Sequence, residues 1–77
     1  MNAKDRKELQ KALDLLAQAR EIVSTIQQQE DEKFENLSDG LKETERGQKL
    51  SDNAYALSDI ESDIDSMEST LTDLIES

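Results

Sequence analysis

Asp59, Glu61, Asp63 and Asp65 alternate along one short stretch, and carboxylates at that density suit either a calcium loop or acid–base chemistry. A calcium loop opening at Asp59 needs Gly at its sixth position for the sharp turn and a bidentate Glu at its twelfth. Those positions hold Ile64 and Thr70, so the loop fails. Carboxylate catalysis needs a pocket that raises one pKa, and one Phe and one Tyr offer little from which to build it. The chain has no His and no Cys. The commonest general base, the thiol nucleophile and the usual transition-metal ligands are therefore missing. Gly40 and Gly47, the only glycines, make no phosphate-cradling pattern. No enzymatic activity, no metal and no cofactor is expected.

What remains is charge. Nineteen acidic residues against nine basic ones give a net charge of −10, which repels nucleic-acid phosphates and anionic lipid alike. Direct nucleic-acid binding is disfavoured, as is a membrane role: no stretch approaches the ~20 apolar residues of a span, and nothing resembles a signal peptide. A cysteine-free chain is at home in a reducing cytoplasm. The surplus is uneven. Residues 1–20 carry five basic and three acidic side chains, whereas residues 51–77 carry Asp52, Asp59, Glu61, Asp63, Asp65, Glu68, Asp73 and Glu76 and no basic residue.

The elements that must position these charges are helices. Proline is absent. From about residue 3 to residue 36, Leu9, Leu16 and Val23 fall at heptad position a, and Ala12, Ala19 and Ile26 at d. Leu15 and Ile22 fall at g, and Leu13 and Phe34 at e. From about 44 to 75, Leu50, Leu57, Ile64 and Leu71 repeat every seven residues, with Ile60, Met67 and Leu74 at d and only Asn53 breaking that series. The connector, about 37–43, is rich in turn and cap residues. Thr44 is read as the second N-cap, Leu41 to Glu43 as an irregular turn, and Gly47 as the site of a close approach of the hairpin tip near Phe34.

A short connector makes the two helices antiparallel neighbours. The fold class is all-α: one domain, a two-helix antiparallel hairpin. The acidic end of helix 2 then lies beside Lys4, Arg6, Lys7 and Lys11, which answer part of its charge. A chain of 77 residues buries only ~60% of the surface that its unfolded form exposes, and small scaffolds of this kind need a staple or a second subunit. Helix 1 is apolar over a wider arc than one neighbour covers. Leu13, Leu15, Ile22, Val23, Ile26 and Phe34 are the expected oligomer contact, and a homodimeric four-helix bundle the expected assembly. Tyr55 is either an exposed contact anchor or a partly covered surface residue.

The segment Phe34-Glu35-Asn36-Leu37-Ser38-Asp39-Gly40-Leu41, continuing through Thr44-Glu45-Arg46-Gly47 to Leu50, resembles the connector of short acidic helical-hairpin proteins from phages and mobile elements of Gram-positive bacteria. The resemblance covers the central fifth of the chain, and Pro often stands in that pattern where this chain has Ser38. It brings no established activity and no catalytic residue. It implies a protein that occupies a protein of its bacterial host. The expected function is a non-catalytic binding module, an inhibitor of a nucleic-acid-handling or defence protein. Asp52, Asp59, Glu61, Asp63, Asp65, Glu68 and Asp73 would stand in for phosphates against a basic surface. The competing expectation is an assembly module whose acids only keep it soluble. An RNA-binding hairpin of the plasmid copy-control type ranks third, because the charge opposes it.

Overall fold

The computed structural model describes all 77 residues as three helices: α1 (Ala3–Glu35), α2 (Asp39–Lys42) and α3 (Glu45–Glu76). Each start is capped by a side chain accepting from a backbone N–H three residues on, which satisfies a donor that the first turn leaves free. Asn2 accepts from Asp5 at 2.8 Å, Ser38 from Leu41 at 3.4 Å and Thr44 from Gly47 at 3.5 Å. Asp5, Asp39 and Glu45 place negative charge in the first turns, where the helix dipole favours it. Gln10 with Asp14 and Gln48 with Asp52 add side-chain hydrogen bonds one turn apart.

The two long helices lie within a residue of the expected bounds, but the connector differs. Residues 39–42 form one complete helical turn instead of an irregular one, because the Ser38 cap starts it and the backbone of Leu41 and Lys42 packs against Gly47. Helix α2 folds back on the start of α3. A Cβ at Gly47 would lie 2.7 Å from the Leu41 carbonyl oxygen and would also meet the Lys42 backbone. The close approach expected at Gly47 is therefore present, and the backbone of α2 makes it. Lys42 bridges this turn to α1, lying 5.4 Å from the Phe34 ring centroid and 3.5 Å from Glu35.

Helices α1 and α3 run antiparallel for the full length of a rod measuring 58 × 14 × 13 Å. Arg20 meets Glu68 at 2.6 Å, Asn53 donates to Glu30 at 3.2 Å, and Arg6 donates to the Ser77 carbonyl at 2.9 Å. Carrying the Arg20–Glu68 pairing along both helices sets Leu13 against Ile75, Leu16 against Leu71, Val23 against Ile64, Gln27 against Glu61 and Phe34 against Ala54. Every one of these is buried or half-buried. Ala54 and Ile64, 6% and 7% exposed, are the only hydrophobic residues fully inside.

This seam corrects the heptad assignment. The rows Leu9, Leu16, Val23 and Leu50, Leu57, Ile64, Leu71 do face inward, but each is completed by the row four residues on, while of the row three residues on only Ala12 and Ala19 are half-buried. Leu13, Arg20, Gln27 and Phe34 serve on α1, with Ala54, Glu61, Glu68 and Ile75 on α3. Ile26, Ile60, Met67 and Leu74 are exposed instead. The physical reason is cross-helix complementarity: a 3-4 repeat leaves two candidate flanks, and Arg20 with Glu68 supplies an ion pair only on the chosen one. Small Ala54 also leaves room for Phe34.

Glu30 is held by its neighbours on the outer edge of the seam. The hydrogen bond from Lys33 foremost, then that from Asn53, holds its carboxyl below the ordinary value of 4.5, with partial burial opposing. A carboxylate depressed in the folded state contributes stability above its unfolded pKa, and that contribution disappears as pH falls through the folded one. Glu30→Gln is therefore expected to melt below the wild type at neutral pH. Thermal melts across the acid range should show the difference closing below pH ~4.5. A constant gap would mean that the charge of Glu30 is not what these bonds hold.

Candidate functional site

The seven acidic residues expected on one face occupy two different places. Glu61, Asp65 and Glu68 gather about Arg20, which projects from α1 between the helices. The hydrogen bond to Glu68 comes first, then the charge of Glu68, with Asp65 and Glu61 adding and burial opposing; together they hold the guanidinium above its already high usual pKa. Glu68 is well covered, its side chain 17% exposed. Glu68 and the half-buried Glu61 belong to the packing of the hairpin, whereas Asp65 is exposed and only lies near the charge of Arg20.

Asp52, Asp59 and Asp73 lie elsewhere. With Glu45 they follow a seven-residue spacing, interrupted only by Ser66, which on a helix draws a straight line with steps of ~10.5 Å. The row runs along the ridge of α3 farthest from α1, and each of its residues is exposed. Asp63 and Glu76, also exposed, lie to either side of it; Asp63 is three residues from Ile60 and four from Met67. No cation pairs with any of them. The four ion pairs are Lys11–Glu8, Arg20–Glu68, Lys33–Glu30 and Lys42–Glu35. The expected neutralisation by the amino-terminal lysines is thus not made: Lys11 turns to Glu8 on its own helix, and Arg6 takes the terminal carbonyl.

The expected oligomer residues divide likewise. Leu13 and Phe34 line grooves between α1 and α3, Leu13 with Glu68, Ser69 and Thr72, and Phe34 with Ser51, Ala54 and Tyr55. Val23 is half-buried at the level of Ile64. These three complete the hairpin itself. Leu15 and Ile22 remain 64% and 65% exposed, and Ile26 is exposed as well. Tyr55 is 73% exposed at the rim of the Phe34 groove, the surface position that its place in the heptad allows.

Sequence reasoning missed the inward cation at Arg20 and the exposed row on α3. A signal for both was present. Arg20 stands four residues after Leu16 and three before Val23, within the inward row, and a charge there requires a partner across the seam. No convergent cluster of three or more acidic side chains is arranged to hold a metal ion, and no helix is long and apolar enough to cross a membrane. No protein-family model, no curated protein and no solved structure matches the chain.

Proposed function

We propose that this chain is a non-catalytic protein-binding module that presents the acidic ridge of α3 to a basic surface on another protein, in the cytoplasm of a bacterial host. The observation that carries the reading is the unpaired line of Asp52, Asp59 and Asp73, left without a cation while Arg20 pairs with Glu68. A line of carboxylates on a rigid helix resembles a phosphate backbone in the sign of its charge, at a wider spacing, so basic surfaces that hold DNA or RNA are the natural targets. The likeness of the connector to hairpin proteins of phages and mobile elements supports an inhibitor of a nucleic-acid-handling or defence protein. A homodimer in a four-helix bundle is the proposed assembly.

Charge reversal of the ridge is the direct test. Asp52→Lys, Asp59→Lys and Asp73→Lys together leave the seam and the Arg20 cluster untouched, so helicity by circular dichroism should be preserved. Capture of a basic protein from host lysate by the wild type should be weakened by added salt and by competing DNA. Capture by the triple variant should be lost. Equal capture by both would overturn the acidic-ridge reading. It would favour the assembly module, in which the acids only confer solubility, a reading already favoured by the exposure of Leu15, Ile22 and Ile26.

A further inference from the structure

The seam takes the more polar of the two flanks available to each helix and leaves the large residues of the more apolar one in water. Along that flank α1 presents the half-buried Ala12 and Ala19 and the exposed Ile26, with Leu15 and Ile22 beside them, and α3 presents the exposed Ile60, Met67 and Leu74. The Arg20–Glu68 register puts the two rows on the same side of the hairpin and level with each other: Ile26 beside Ile60, Ala19 beside Met67, Ala12 beside Leu74. The result is one apolar face spanning both helices, ~20 Å long at 1.5 Å per residue. At the tip it gives way to the polar group of Glu30, Lys33 and Asn53. The opposite side of the seam carries Ser24, Asp31, Ser51, Ser58, Asp65 and Thr72 and has no such character.

Area gives the size of what is missing. A compact monomer of 8.7 kDa exposes about 4,700 Å², whereas this hairpin exposes 5699 Å². The excess of about 1,000 Å² is close to the ~800 Å² that each partner buries in a standard interface.

We propose that this face seats a second copy of the chain, with the two hairpin tips at the same end and each α1 lying across from the partner's α3. The proposal rests on the homodimer reading above and specifies its surface and arrangement. Two observations select the second copy in this orientation. Small residues meet large ones: Ala19 faces the partner's Met67, Ala12 faces the partner's Leu74, and Ile26 meets the partner's Ile60. Charge selects the same pairing. Between its ends α3 carries nine acidic and two basic residues, and α1 carries eight acidic and six basic ones. Setting tip against open end would lay one α3 along the other, the most repulsive choice, whereas tips together place the two α3 helices on the diagonal. The acidic ridges of Asp52, Asp59 and Asp73 then point outward from opposite corners, free for a partner protein.

Mass measurement in solution tests the assembly, and cross-linking tests the arrangement. The wild type should run as a dimer at micromolar concentration, and a monomer would overturn the homodimer reading together with this proposal. Ile22→Asp with Met67→Asp buries unpaired carboxylates in the contact and should weaken dimerisation ~100-fold or more. A dimer of unchanged affinity would overturn the proposed face while leaving homodimerisation intact. Because the chain has no Cys, single cysteines report arrangement in otherwise unaltered, folded protein. A mixture of Ala19→Cys and Met67→Cys chains should give cross-linked dimer with a short thiol cross-linker, and neither variant alone should. Efficient cross-linking of Met67→Cys by itself would overturn the orientation.

Discussion

Ile64→Ala is expected to lose ~2–3 kcal/mol of stability, toward the low end of the range for buried large-to-alanine changes. Ile64 is 7% exposed and is the only large side chain fully inside the hairpin. It lies opposite Val23 and one turn from both Glu61 and Glu68, in the stretch where the seam alternates apolar and charged layers. Removing it opens a gap that water can reach past Gln27 and Arg20, so relaxation limits the cavity cost but the lost burial is complete. For a domain of this size each kcal/mol moves the melting temperature by ~4–8 °C, so a thermal melt should fall by ~10–20 °C. Tyr55→Ser, at a position 73% exposed on the same helix, should stay within ~0.5 kcal/mol of the wild type. Equal effects of the two would mean that α1 and α3 are not packed as described.

Gly47→Ala should destabilise by ~1–3 kcal/mol, although helix propensity alone would make Ala the better residue by about 1 kcal/mol. Sterics decide the sign. The new methyl group would meet the Leu41 carbonyl oxygen at 2.7 Å and the Lys42 carbonyl carbon at 2.7 Å. These are backbone atoms and cannot swing aside as a side-chain end can. Helix α2 must lift off α3, which loosens the Thr44 cap and the Lys42 contact with Phe34. Gly40 provides the matched control: it is helical too, and nothing lies within 4 Å of a Cβ built there. Gly40→Ala should therefore stabilise by ~0.4–1 kcal/mol, by restricting the unfolded chain. Opposite signs from the same substitution seven residues apart, measured by denaturant melts, would confirm the folded-back connector. A stabilised Gly47→Ala would refute it.

Legibility differed between the hairpin and its surfaces. Thr44 as a cap, the two helical stretches and the break between them follow from local chemistry: Ser and Thr hydroxyls that accept from the first turn, and apolar residues at helical spacing. The connector was harder because Ser38-Asp39-Gly40 suits a turn or a capped helical turn equally well, and contact with Gly47 chooses between them. Among the surface residues, Asp52, Asp59 and Asp73 were legible as part of an acidic helix, but not as a row separate from Glu61, Asp65 and Glu68. Glu61 and Glu68 were not separable from that row, because they differ from Asp59 only in facing a cation that lies on the other helix.

Sequence alone was enough to determine that the chain is helical, where its two long helices begin and end, and that α3 carries negative charge its own residues cannot balance. These properties depend on neighbours within a turn or two. Only the tertiary structure decided which flank of each apolar row closes the hairpin. A 3-4 repeat offers the rows three and four residues away at nearly the same angle, so local pattern does not separate them. The choice falls to Arg20 and Glu68, 48 residues apart in the chain, whose pairing turns one flank inward and leaves Ile22, Ile60 and Met67 facing outward.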